Sequence, residues 1–234
     1  MFFSTNIFRP EDVFKGKRVA VIGAADSAFE NKDGDYINSF DYIVRINKAP
    51  HSLTEEKMEF IGNRTDVLFH SFYEKDISGG GPIDLHLYEK QGIKYIVNPN
   101  NNLKGLRVHL NYFKRNLSNH LTYLLPKNFY KEMTKNFGKW TPTVGYSGLY
   151  SVLHSGCNEI YITGFTFFKT PYADDYRDHL QDLDNNNEHI KNQGLHNPDL
   201  EFNEFLRNLD EIKAKHTLIR LDPMLLKIIE NHKN

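Results

Sequence analysis

The run Lys17-Arg18-Val19-Ala20-Val21-Ile22-Gly23 is apolar without alternation after a basic entry, and it stops at a glycine. Apolar residues on both sides of a strand suit burial on both faces, which occurs where a parallel sheet is covered by helices. Similar short runs recur at residues 42–46, 65–69, 93–97, 159–163 and 217–221, with gaps long enough for crossover helices. The alternation predicts an α/β chain of Rossmann type, a mostly parallel sheet with helices on both faces, in which residues 17–23 form the first strand.

Helical patterns fall at residues 83–90, 107–116, 119–133 and 145–155, the last turning Leu149, Val152 and Leu153 inward. An amphipathic helix carries Phe202, Phe205, Leu206, Leu209 and Ile212, and a closing helix starts near Asp222-Pro223. Residues 166–195 are polar and include Asp184-Asn185-Asn186-Asn187, a composition suited to a mobile loop or lid. Without repeats or a linker, the chain reads as one domain over residues 1–234.

Charge narrows the partners. The 29 Lys and Arg residues nearly cancel 30 Asp and Glu residues, leaving no global field for nucleic acid. Cys157 is the only cysteine, so an intrachain disulfide and a zinc or iron–sulfur ligand set are excluded, and a reducing cytoplasm is expected. No apolar run approaches the roughly 18 residues of a membrane span, and the start Met1-Phe2-Phe3-Ser4-Thr5 does not read as a secretion signal.

In an open parallel sheet, ligands bind beyond the carboxyl ends of the strands, and four such places carry chemistry. Gly23-Ala24-Ala25-Asp26-Ser27 suits either backbone approach to a phosphate or a tight turn with Asp26 or Ser27 as N-cap. Arg45-Ile46-Asn47-Lys48-Ala49-Pro50 brings a guanidinium and an amide to one edge, either as donors for an anion or a ribose, or as a surface ion pair and a turn. Pro142-Thr143-Val144-Gly145-Tyr146-Ser147-Gly148 opens a helix with a hydroxyl and two glycines, which suits either close approach of a phosphate or nucleotide or, for Gly148, helix packing against the sheet alone.

The fourth place is Leu195-His196-Asn197-Pro198-Asp199-Leu200-Glu201, where Asn197 is a natural N-cap and Pro198 a natural first helical residue. The positive end of a helix disfavours imidazolium, so His196 is expected to stay neutral and able to take a proton. The plain alternative is a junction histidine beside acids that complement the helix dipole. Asp182-Leu183-Asp184 has the spacing of a metal-binding D-x-D, but its acidic surroundings favour a solvated loop, and no metal or other cofactor is expected.

These segments, in this order, resemble the sialyltransferases, both the animal-type family with its sialyl motifs and the bacterial lipooligosaccharide family. The large motif resembles residues 19–23 through Asp41-Tyr42-Ile43-Val44-Arg45-Ile46-Asn47-Lys48-Ala49-Pro50 and Gly62-Asn63-Arg64-Thr65. The small motif resembles Pro142-Thr143-Val144-Gly145, Leu153-His154 and residues 157–165, while His196 and Glu201 have the H-x-x-x-x-E spacing of the very small motif. Glu204-Phe205-Leu206 and the apolar closing helix are similar to the bacterial family.

The resemblance implies a GT-A-like fold and metal-independent, inverting transfer of sialic acid or a related ulosonic acid. The donor would be CMP-activated and the acceptor a hydroxyl of a glycan or glycolipid. It implies His196 as base with Glu201 in support, and Gly23, Ser27, Arg45, Asn47, Gly145, Gly164 and Phe165 around the donor. Thr143 is assigned to the leaving phosphate, together with Tyr172 or Tyr176, which stand at the distance of the bacterial phosphate-binding tyrosines and have packing of the lid as their alternative role. Three positions depart from the pattern: Ala24 stands where both families place an asparagine, Val19 where the animal enzymes place a cysteine paired with the position of Cys157, and Thr141 where bacterial enzymes offer an arginine.

A noncatalytic nucleotide- or sugar-binding module on the same scaffold is the alternative. A Rossmann oxidoreductase or methyltransferase is disfavoured because no G-x-G-x-x-G follows the first strand. The closing helix, with Met224, Leu225, Leu226, Ile228 and Ile229 beside Lys227 and Lys233, has two readings: core packing, which is favoured, and peripheral contact with a membrane carrying a lipid-linked acceptor. A homo-oligomer is compatible with the sequence.

Overall fold

The computed structural model describes residues 4–75, 78–116, 120–176, 182–214 and 217–233. Strands among them are β1 (Thr5–Ile7), β2 (Arg18–Ile22), β3 (Tyr42–Ile46), β4 (Val67–Phe69), β5 (Tyr95–Asn98), β6 (Thr122–Leu124), β7 (Glu159–Thr163) and β8 (Leu218–Leu221). They form one sheet in the order β1-β6-β5-β4-β3-β2-β7-β8, with parallel pairing throughout. Helices α1 (Pro10–Phe14), α2 (Gly34–Asn38), α3 (Glu55–Ile61), α4 (Leu85–Lys90) and α5 (Leu103–Arg115) lie in the first half. The second half holds α6 (Lys127–Thr134), α7 (Val144–Leu153), α8 (Leu183–Gln193), α9 (Pro198–Lys213) and α10 (Pro223–Lys233).

The unalternating apolar runs split between two cores because successive strand side chains face opposite ways. Val19, Val21, Val44, Ile46, Ile160 and Ile162 enter one core with α7, α9 and α10. Ala20, Ile22, Ile43 and Tyr161 enter another with Ile37 of α2 and Ile61 of α3. The sheet is thus covered on both faces, as the sequence predicts. On α10, Leu225, Ile228 and Ile229 join the first core while Leu226 stays exposed, which supports the packing reading of that helix. Among the described residues, no helix is long and apolar enough to cross a membrane.

Three local expectations are corrected. Residues 17–23 contain the second strand, since the short, largely exposed β1 precedes it at the sheet edge. The helix expected over 119–133, whose first residue lies outside the described residues, is β6 followed by α6; Pro126 separates the two and stands at the N-cap of α6. The polar stretch 166–195 contains the helix α8, which Asp182 caps through the Asp184 N–H and Gly194 ends in a left-handed conformation. Residues 177–181 of that stretch lie outside the described residues.

From β2 the chain builds outward through β3, β4 and β5, then returns to place β7 on the other side of β2. This reversal opens a crevice beyond the carboxyl ends of β2 and β7. The residues that follow the strands meet there.

Candidate active site

A cavity of about 400 Å³ lies over the carboxyl ends of β2, β3, β4, β5 and β7. Its floor is a glycine pair. A Cβ on Gly23 would lie 2.0 Å from the Gly164 carbonyl oxygen, and Gly164 itself is left-handed at φ +72°. Both positions therefore require glycine, for close approach in one case and for conformation in the other. Asp222 fixes the pair from below, accepting from Gly164 N–H at 2.8 Å while it caps α10 through Leu225 N–H at 2.7 Å.

The segment after β7 is fastened to the turn after β2. Ala173 N–H donates to the Ala24 carbonyl at 2.9 Å, Asp26 N–H donates to Pro171, and Ala25 pairs with Tyr172. Tyr172 and Tyr176 both line the cavity, with ring centroids 5.5 Å apart, so the first part of the expected lid forms part of the cavity wall. Asn47 follows β3 in a left-handed conformation, φ 53°, which asparagine tolerates better than most residues. Its Oδ1 accepts from Ser71 N–H at 3.1 Å, and its amide N–H groups remain for a ligand.

His196 stands immediately before the N-cap of α9, where Asn197 accepts from Leu200 N–H and Pro198 is the first helical residue. Its Nδ1 lies 2.6 Å from the Thr141 carbonyl oxygen, and Thr141 N–H bonds back to Leu195. A carbonyl only accepts, so Nδ1 carries the hydrogen and Nε2 of the neutral ring keeps a bare lone pair. Burial lowers the imidazole pKa and the charge of Lys104 adds to this, against the opposing pull of the Thr141 carbonyl. Burial, more than the helix end, is therefore what favours the neutral form of His196.

Glu201, in the first turn of α9, is almost fully buried and faces Thr143, the N-cap of α7. Its carboxyl accepts from Thr143 N–H at 2.6 Å and from the Thr143 hydroxyl at 2.8 Å. The same hydroxyl oxygen caps α7 by accepting from Tyr146 N–H at 3.0 Å. Burial without a cation pushes Glu201 up to about 8. Beside this pair, the first-turn N–H groups of Val144 and Gly145 have no intrahelical acceptor and line the cavity.

Gly23, Asn47, Thr143, Gly145, Gly164 and Phe165 therefore share one cavity with Tyr172, Tyr176, His196 and Glu201. Ser27 and Arg45 do not. The Ser27 hydroxyl is buried 3.4 Å from Asp222, beneath the floor, and the short helical turn Asp26–Phe29 has Ala25 at its N-cap with no side-chain cap from Asp26 or Ser27. Arg45 is buried on the face covered by α3, where its guanidinium donates to the carbonyls of Ile61 at 2.5 Å and Gly62 at 3.1 Å. Alternation along β3 places it with Ile43 rather than at the strand end, so it closes the C-terminus of α3.

Sequence reading missed Ser71, Asn100, Lys104 and Asn186, which also line the cavity. The first two follow β4 and β5, and applying the strand-end rule to those strands as well would have found them. A second cavity of about 600 Å³ shares His196, Phe167, Phe168 and Ile190 with the first, and adds Trp140 and Lys191. His196 thus borders both spaces. Asp182 serves as the cap of α8, which explains its place beside Leu183-Asp184 without a metal.

The sequence model of glycosyltransferase family 29 (sialyltransferase) matches residues 6–214. No curated protein matches the chain. Among solved structures, the sialyltransferase CstII from Campylobacter jejuni in complex with cytidine-5'-monophosphate is 18% identical over 90% of this chain and 87% of that one, with a TM-score of 0.51. The alpha-2,3-sialyltransferase from Campylobacter jejuni in apo form is 16% identical over 93% and 79%, with a TM-score of 0.53. A mammalian sialyltransferase is 17% identical over 92% and 73%, with a TM-score of 0.52. At these identities the likeness is one of fold.

Proposed function

This chain belongs to glycosyltransferase family 29 (sialyltransferase), and from that premise we propose that it moves sialic acid or a related ulosonic acid from a CMP-activated donor to a glycan hydroxyl, without a metal and with inversion. The observation that carries this reading is His196, neutral, with Nδ1 held by Thr141 and the ring bordering two cavities. The first cavity suits the donor, because its glycine floor and the N-terminus of α7 admit a phosphate. The CMP part of the reading draws on the CstII complex. The second cavity suits the acceptor, whose hydroxyl reaches the histidine from the side away from the donor.

In the proposed step the acceptor O–H proton passes to His196 Nε2 as its oxygen bonds the anomeric carbon. The bond from that carbon to the phosphate oxygen breaks, its electron pair leaves with CMP, and attack opposite the leaving group inverts the centre. First-turn N–H groups of α7 and the tyrosines Tyr172 and Tyr176 stabilise the departing phosphate. Asn47 orients the donor through its amide N–H groups. A metal is dispensable in this scheme, since the Glu201 carboxyl in the cavity wall is occupied by Thr143.

The test is a screen of several CMP-sugars for transfer and hydrolysis, comparing wild type with His196→Ala, in the presence and absence of EDTA. Transfer that survives EDTA and is lost in the variant supports the reading. Loss in EDTA that manganese or magnesium restores overturns its metal-free part. CMP binding with neither hydrolysis nor transfer favours the noncatalytic binding module instead.

A further inference from the structure

Asn186, on α8, is almost completely buried, lines the donor cavity, and has no hydrogen-bond partner for its side-chain oxygen. An amide oxygen left unpaired in the interior is destabilising, and native proteins rarely keep one without a use. Asn100, beyond β5 in the same cavity, repeats the feature, with its side-chain oxygen also buried and unpartnered. Both atoms accept hydrogen bonds. Neither can serve a phosphate or carboxylate, which at neutral pH offer only acceptors.

We propose that Asn186 and Asn100 are specificity residues that receive O–H or N–H donors of the bound CMP-sugar. The inference rests on the donor-cavity reading above and deepens it. It divides the cavity by chemistry: N–H groups of α7 face the anionic part of the ligand, while the two asparagines face its hydroxyl-bearing part. The donors come from the transferred sugar or from the cytidine, which share this chemistry. Because α8 carries Asn186, binding also ties this helix to the ligand.

The test compares wild type with Asn186→Leu and Asn186→Ala, using CMP and CMP-N-acetylneuraminic acid as probes. Leucine removes the orphaned acceptor at similar volume, so the unliganded protein should melt a few degrees higher, while the KM for CMP-N-acetylneuraminic acid rises about tenfold. An unchanged Kd for CMP assigns the donor group to the sugar, and a weakened one assigns it to the cytidine. Alanine should weaken binding in the same way. A leucine variant that melts below wild type with both ligand constants unchanged overturns the proposal. If wild type itself binds neither probe, the functional reading fails, and a raised melting temperature in Asn186→Leu still reports the orphaned oxygen separately.

Discussion

Glu201 holds Thr143 by two atoms at once, backbone N–H at 2.6 Å and hydroxyl at 2.8 Å, and joins the first turn of α9 to the N-cap of α7. The protonation of Glu201 decides what Thr143 can do. As a carboxylate, Glu201 accepts a hydrogen bond from the Thr143 hydroxyl. As a neutral acid it can donate to that hydroxyl oxygen instead, and the threonine O–H is then free to point toward the cavity. Thr143 then becomes a donor to a leaving phosphate, the role expected of it from sequence.

Activity should therefore fall as pH rises through about 8, where Glu201 ionises. Glu201→Gln should keep the neutral pattern, its amide oxygen accepting from Thr143 N–H and its amide N–H donating to the hydroxyl. The pH profile of kcat for this variant should lose the alkaline limb. A limb that persists unchanged assigns it to another group.

Stability should follow the same ionisation. The folded carboxyl, raised to about 8, keeps a proton that the unfolded chain releases above its ordinary 4.5, so this group's contribution to stability is fullest at acid pH and declines between those values. Burial lowers His70, His109 and His196, which act in the opposite sense at the acid end of that window, so it is the melting temperature of wild type relative to Glu201→Gln that should fall through it. Glu201→Ala leaves the Thr143 N–H unpaired and should cost roughly 1–3 kcal/mol.

Lys104→Met removes a charge that lowers His196. Burial continues to hold the imidazole down, so the variant's pKa should rise only part of the way to the ordinary value. The base form is lost as pH falls through the pKa, and the acid limb of kcat/KM should move to higher pH. An NMR titration of the His196 ring checks the shift without turnover.

Gly23→Ala should destabilise the fold and abolish CMP binding together, because the new methyl meets the Gly164 carbonyl at 2.0 Å, where backbone rather than a flexible side chain must move. A cost of about 1–3 kcal/mol or more is expected from such overpacking. Urea unfolding with and without CMP measures both effects.

Much of the scaffold was legible because its central strands are buried on both faces and bounded by glycine or polar turns, as at Ile22-Gly23 and Thr163-Gly164. The edge strand β1 and its neighbour β6 were not. Each is three residues long, β1 is largely exposed and so lacks an apolar run, and apolar residues around 121–129 imitate a helix. Local propensity also hid α8, whose asparagines favour turns but which caps at both ends set as a helix around the buried Asn186 and Ile190. Arg45 was misassigned because its motif looked like a strand end, while the two-residue alternation of β3 turned it under α3. Lys104 and Asn186 gave no sequence signal of their own, since only the fold brings them to His196.

The central claim is that His196 is the base of a CMP-sugar transfer. Its most direct test is the transfer rate from CMP-N-acetylneuraminic acid in a glycan-array assay, with the melting shift induced by CMP measured alongside. Wild type is predicted to transfer, and His196→Ala to lose about 10²- to 10⁴-fold in rate with the CMP shift intact. A His196→Ala enzyme that transfers as fast as wild type would contradict the account.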